Sequence, residues 1–211
     1  MRVDLPPTRT LVLAGVIALA VLAAAAGGWY WYDGQQRRVA GVYAEVMTRA
    51  YAAQSPQAPG EARARAQQEL EQILAKYPSA APVAEAAFEL GNLRYAAQQW
   101  APARVAYEIA LARGHSPTVR MLARTSIGYT WEAERDWGKA IDAYLGVARD
   151  VGPKDFLYEE VQFALARVQE LGGRPAEAIT TYERLLKDAP NSARAEEAKR
   201  QLMRLGAKSD K

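Results

Sequence analysis

The sequence predicts an all-α protein, in which an apolar N-terminal helix precedes a solenoid of stacked helix pairs closed by a C-terminal capping helix. Three observations carry this reading. Alanine supplies 43 of the 211 residues against three phenylalanines, which suits closely packed helices, because alanine is the best helix former and strands favour β-branched and aromatic residues. Residues 11–32 (LVLAGVIALAVLAAAAGGWYWY) contain no charged side chain. Beyond them, Gly91, Trp100, Ala103 and Tyr107 recur 37 positions later as Gly128, Trp137, Ala140 and Tyr144, and a further 38 positions on as Ala166, Pro175, Ala178 and Tyr182. A fixed period of this size marks stacked supersecondary units and not one closed core.

The elements follow in chain order. Residues 1–10 form a short N-terminal tail. At about 1.5 Å per residue, the 22 residues of 11–32 give a helix of about 33 Å, enough to cross the hydrocarbon core of a bilayer. Trp29, Tyr30, Trp31 and Tyr32 stand at its end, where amphipathic rings settle at the headgroup level. A cleaved signal peptide with a processing site near Ala25 is the alternative. The apolar run exceeds the usual h-region of about 7–15 residues, and the aromatic belt continues the span instead of ending it, so the anchor reading is favoured. Arg2 and Arg9 before the span balance Arg37, Arg38 and Arg49 after it, and charge leaves the membrane side open.

Residues 33–78 read as a divergent first helix pair. Val39, Val42, Val46, Met47 and Ala50 mark a helix over about 35–53, and Leu70, Ile73 and Leu74 one over about 61–77, joined by the loop 55–60. Residues 79–211 hold three regular units plus the cap. Inter-repeat turns are expected around His115–Pro117 and Gly152–Pro153. Trp100 and Trp137 open the second helices and pack on the preceding helix. Ala195, Ala198, Leu202 and Leu205 form the apolar stripe of a capping helix over 192–205, with charge on its other side. The basic residues Lys199, Arg200, Arg204, Lys208 and Lys211, interspersed with acidic ones, read as a solubilising end.

Composition and motifs exclude several classes. Without cysteine there is no disulfide scaffold, thiolate metal site, cysteine nucleophile or lipoprotein anchor. The lone His115 cannot form a His-rich metal site. A net charge of +3 is no nucleic-acid-binding block. There is no phosphate-binding glycine loop and no hydrolase or zinc motif, Gly172–Gly173 reads as a turn, and Glu159–Glu160 and Glu196–Glu197 read as solvated surface. The expectation is a non-enzyme with no cofactor, no metal, no nucleic acid and no small-molecule substrate.

The repeat residues resemble the tetratricopeptide signature, W-x2-L-G-x2-Y followed by A-x3-F and a closing proline. Leu90–Gly91, Ala103, Tyr107 and Ala110 match it first, then Ile127–Gly128, Trp131, Ala140 and Tyr144, then Leu165–Ala166, Ala178, Tyr182 and Pro190. In this arrangement the small residues at 91, 128 and 166 let paired helices approach, and the tyrosines fill toward the next repeat. The resemblance implies that first helices line a partner-binding groove, here Phe88, Asn92, Tyr95, Thr125, Tyr129, Phe163 and Arg167. Asn92 matches the asparagine of the carboxylate-clamp subfamily, but Phe88 and Ala96 stand where that subfamily has lysines.

The whole arrangement, with Gly28-Trp29-Tyr30-Trp31-Tyr32 closing the span, resembles the YfgM-type ancillary subunit of the SecYEG translocon. The repeats are also similar to BamD and YbgF, although BamD needs a lipidated cysteine and YbgF a coiled coil that 33–54 is too short to form. The resemblance implies a bacterial inner-membrane protein, single-pass, with its repeat domain in the periplasm. Its partners would be translocon subunits, periplasmic chaperones such as PpiD, or envelope-assembly factors. The alternative is a soluble periplasmic adaptor in outer-membrane assembly or envelope maintenance after signal cleavage.

Overall fold

The computed structural model describes residues 8–206, and what was expected of residues 1–7 and of Lys208 and Lys211 lies outside them. Among the described residues the regular structure is helical throughout: α1 (Thr8–Ala53), α2 (Gly60–Lys76), α3 (Val83–Ala96), α4 (Trp100–Arg113), α5 (Pro117–Ala133), α6 (Trp137–Ala148), α7 (Tyr158–Leu171), α8 (Pro175–Asp188) and α9 (Ala195–Arg204). Consecutive helices pack antiparallel, each mainly on its neighbours in sequence, as a solenoid requires.

The expected boundary at residue 32 is not a break. The span and the first helix of the divergent pair are one helix of 46 residues, about 69 Å long, and it takes in Thr8–Thr10 from the expected tail. Composition changes at Asp33, but nothing there stops a helix. There is no proline, and Arg37 Nε pairs with Asp33 Oδ2 one turn back at 2.8 Å.

The two halves of α1 have different surroundings. From Val12 to Tyr32 its described large side chains are exposed, Trp31 at 68% and Leu22 at 65%. Farther on, Tyr43, Val46, Ala50 and Ala53 are buried with Ala66, Leu70 and Ile73 of α2. The Tyr43 hydroxyl donates to the carbonyls of Tyr77 at 3.0 Å and Ile73 at 3.3 Å, pinning the end of α2 to α1.

Within the regular repeats, Ala103, Ala140 and Ala178 are fully buried, as their place at the helix contact requires. The tyrosines do more than fill toward the next repeat. Tyr107 packs with Ala123 and Ile127 of α5, and Tyr144 with Leu165 and Val168 of α7, while each ring also lies over the glycine of its own repeat: a β-carbon at Gly128 would stand 2.5 Å from Tyr144 Cε1, and one at Gly91 would collide with Tyr107 in the same way. Glycine is needed there to seat a ring.

The turns inside the repeats are periodic too. Gln98, Arg135 and Gly173 sit at equivalent positions with φ of 60°, 60° and 74°. The next amide in each turn, Gln99, Asp136 or Arg174, donates to a carbonyl five residues back at 2.7–3.0 Å. These are helix ends closed through a left-handed residue. Between repeats the chain runs longer at 149–157, as expected around Gly152–Pro153, but not at 114–116, where the link has the three residues of an intra-repeat turn and the extra length of the period lies in the 17-residue α5. Ala195 and Ala198 of α9 are buried against the last repeat, with Leu202 and Leu205 packed beside them, so the stripe does cap the stack.

Candidate partner-binding groove

The first helices of successive repeats (α3, α5, α7) present equivalent positions to one face. Asn92, Tyr129 and Arg167 each follow the small residue of their repeat, and each is tied into a polar network. Asn92 accepts the Tyr107 hydroxyl at 3.0 Å and donates to Glu89 at 3.2 Å. Glu89, 9% exposed, also accepts the Gln54 amide at the end of α1. Tyr129 donates to Glu160 at 2.9 Å, and Arg194 grips the other oxygen of that carboxylate at 2.6 Å. Arg167 makes a two-pronged contact with Glu132 at 2.8 and 2.9 Å, while Tyr144 donates to Glu132 at 3.0 Å. Such forked, charge-assisted bonds fix orientation as well as adding energy.

These networks join one repeat to the next. Glu132 on α5 holds Arg167 on α7, and Tyr129 on α5 holds Glu160 on α7. Tyr95, half-buried on α3 with its ring edge-on to Trp100 at 4.8 Å, lies in the fields of both Glu132 and Arg167, so three first helices converge on one region. Burial raises the Tyr95 phenol, and the Glu132 charge adds to the rise. Burial likewise lifts Tyr107, Tyr129 and Tyr144 well above the ordinary tyrosine range. All therefore remain neutral hydrogen-bond donors at physiological pH. Burial works to raise the Glu160 carboxyl, but the bonds from Arg194 and Tyr129 outweigh it and hold it below the ordinary value.

Two of the seven expected groove residues lie beneath the surface. Thr125 is 2% exposed and returns its hydroxyl to the Met121 carbonyl of its own helix at 2.9 Å. Phe163, also 2% exposed, packs on Tyr182 at 5.6 Å with Arg194 above its ring. Three residues before the repeat's small residue, a side chain turns into the packing. Phe88, at the same register, is half-buried against Tyr107 at 5.6 Å. Asn92, Tyr95, Tyr129 and Arg167 retain partial exposure.

Sequence reasoning missed Glu132, Glu160 and Arg194. Glu160 is not solvated surface but half-buried and doubly held. The signal was available as opposite charges about one repeat apart, Glu132 with Arg167 and Glu160 with Arg194 ahead of α9. The arrangement positions hydrogen-bonding and aromatic surface. Among the described residues no cluster of three His, Asp or Glu could hold a metal ion.

Comparison with known proteins agrees with this geometry. A tetratricopeptide-repeat profile matches residues 160–192. No curated protein matches the chain. Among solved structures, MamA AMB-1 is similar at 19% identity over 81% of this chain and 84% of that one, with a TM-score of 0.57. MamA MSR-1 is similar at 18% identity over 81% and 88%, with a TM-score of 0.55. A Podosopora anserina kinesin light chain protein with nearly identical TPR-like repeats matches at 16% identity over 82% and 94%, with a TM-score of 0.57. The fold is a tetratricopeptide-type solenoid. Such folds generally serve as non-catalytic scaffolds for protein interaction, and this one carries an N-terminal helix long and apolar enough to cross a membrane.

Proposed function

We propose that the protein is a non-catalytic, membrane-tethered scaffold that binds protein partners through the inner face of its solenoid, with residues 11–32 as the anchor. The single observation that carries this reading is α1 itself. One unbroken helix is bare and apolar at its N-terminal end and is part of the repeat core at the other. A wholly apolar helix surface with no protein covering it calls for lipid or an equivalent apolar surrounding.

The contact surface in this reading is Asn92, Tyr95, Tyr129 and Arg167, with Phe88 at its margin and Thr125 and Phe163 supporting it from below. Aromatic and arginine side chains of this kind dominate binding energy at protein interfaces. The envelope setting rests on the resemblance to the YfgM-type subunit: a bacterial inner membrane, repeats in the periplasm, and partners among translocon subunits and periplasmic chaperones.

Co-purification of the full chain, followed by the double substitution Tyr95→Ala with Tyr129→Ala, tests the groove. Loss of the captured partner while the variant keeps its helical content and a cooperative unfolding transition supports it, and unchanged capture removes it. A reporter fused to the C-terminus tests the periplasmic side, and a cytoplasmic signal removes the envelope reading. The run Ala23–Ala26 keeps a soluble periplasmic adaptor as the second reading. An intact mass beginning near Ala26 would establish it in place of the anchor.

A further inference from the structure

Three carboxylates on the first helices each meet an arginine 34 or 35 residues farther along the chain: Glu132 with Arg167, Glu160 with Arg194 and Glu170 with Arg204. Glu89 on α3, at 9% exposure, is withdrawn further from water than any of them. It has no such arginine. Arg124, at the same step of 35 residues, pairs with Asp150 instead. Burying a carboxylate is costly unless a counter-charge or strong donors offset it. Among the described residues no lysine or arginine forms an ion pair with Glu89.

What holds Glu89 is neutral and one-sided. Its Oε2 accepts the Gln54 amide from the end of α1 and the Asn92 amide from the next turn of α3, the latter at 3.2 Å. Asn92 is itself oriented by the Tyr107 hydroxyl, which donates to its Oδ1 at 3.0 Å. Glu89 Oε1 accepts no hydrogen bond among the described residues and reaches solvent. The side chain is therefore fixed through one oxygen while the other stays open.

Two neighbours add to this place. Glu85 lies one turn earlier on the same face of α3; it is exposed, and among the described residues it too lacks an ion pair. Its equivalent two repeats on is Glu160, which Arg194 meets, but at the corresponding step from Glu85 the chain has Val119. Tyr51, one turn before Gln54 on α1, is 55% exposed. Burial raises its phenol, and Glu89 and then Glu85 raise it further, so the ring lies in the field of both carboxylates. Cations of the surrounding helices are engaged elsewhere. Arg49 pairs with Glu45 and Glu69, Arg94 pairs with Glu71, and the Arg63 guanidinium donates to the carbonyls of Ala53, Ser55 and Pro56.

We infer that the α1 end of the inner face is a seat for a lysine or arginine side chain of the protein partner, with Glu89 Oε1 as its acceptor, Glu85 at its mouth and the Tyr51 ring beside it. A cation there forms a charge-assisted hydrogen bond to a carboxylate already held in place. The tyrosine face attracts the same charge, and Glu85 draws a basic segment toward the opening. The inference rests on the groove reading above and gives that groove's partner a chemistry: a basic residue at the end of the segment that crosses Tyr95 and Tyr129.

Octalysine carrying a neutral dye, with octaserine as its uncharged counterpart, tests the seat by fluorescence anisotropy on the detergent-solubilised full chain. At physiological salt octalysine should bind and octaserine should not. Glu89→Gln should weaken octalysine about tenfold, the loss of one charge-assisted contact. Glu108→Gln, which removes an exposed and unpaired charge from α4, should weaken it less than about twofold because salt screens such a charge. Equal losses in the two variants, or no octalysine binding, overturn the seat. A lower unfolding midpoint in Glu89→Gln with octalysine binding unchanged makes Glu89 a structural carboxylate and also overturns it. Glu85→Gln and Tyr51→Ala alter exposed side chains, so weaker octalysine binding in both at an unchanged midpoint supports the seat even where Glu89→Gln unfolds. No loss in either overturns it. Partner capture separates this from the groove. If Tyr95→Ala with Tyr129→Ala abolishes capture and Glu89→Gln spares it, the groove holds and the seat falls; the reverse result keeps the seat and removes the groove.

Discussion

The N-terminal and C-terminal halves of α1 have the same backbone and opposite surroundings. The first half leaves Leu22 and Trp31 uncovered, while the second buries Tyr43, Val46 and Ala50 under α2. Helix propensity does not distinguish an uncovered apolar stretch from a packed one, so one helix runs through both. What differs is the period of the apolar residues: apolar on all sides before Asp33, and a stripe after it.

Substitutions in the two halves should therefore separate two properties. Val21→Arg should disfavour insertion of the span by about 2.5–3.5 kcal/mol and release the protein from membranes, leaving the unfolding midpoint of the solenoid unchanged. Leu70→Ala, opposite the buried half, should do the reverse. The side chain is fully buried, and such truncations cost about 2–5 kcal/mol, read by denaturant unfolding, with membrane fractionation unaffected. If either variant moves both readouts, the halves are not independent. Gly91→Ala should cost about 1–3 kcal/mol by forcing Tyr107 off its seat. The third repeat already carries alanine at the equivalent Ala166, so Ala166→Gly should lose only about 0.5–1 kcal/mol through backbone entropy.

pH offers a graded version of the same test. Burial, with Asp188 beside it, pushes Tyr158 up to about 12, and burial pushes Tyr182 up to about 12. The unfolded chain loses these protons near pH 10 and the folded chain near 12, so between those values the folded state holds more protons and stability falls as pH rises. Glu160 acts in the opposite direction: its lowered value contributes stability above the unfolded carboxylate pKa, and that contribution is lost as pH falls through the folded one. Both losses belong to the solenoid and should leave membrane fractionation unchanged. The smallest expected effect is at the turns. Gln98→Gly or Arg135→Gly should relieve a left-handed residue and, net of glycine's entropy, gain up to about 1 kcal/mol in thermal unfolding.

The repeats were legible because their signals are steric. Gly91, Ala103 and Tyr107 recur where the helix contact favours that size, and Trp100 and Trp137 open second helices as expected. The join at Asp33 was not legible as continuous, because polarity marks a change of surroundings and says nothing about where a helix stops. The placement of the candidate groove positions was half legible. Register placed Asn92, Tyr129 and Arg167 on one face, but the burial of Thr125 and Phe163 depends on how neighbouring repeats turn against each other. The Glu132–Arg167 and Glu160–Arg194 pairs span 34–35 residues, near one repeat, so they emerge only when each first helix is compared with the element one repeat on.

A helix without a hinge transmits rotation as well as position. Successive residues of α1 are turned by about 100° around its axis, so on the proposed anchor reading the face that residues 11–32 would offer to a neighbouring membrane helix is phase-locked to the direction that the first helices of the solenoid face. A membrane partner gripping one side of residues 11–32 would thereby aim the solenoid. Inserting a single residue between Asp33 and Tyr43 would leave both ends intact and point the groove elsewhere.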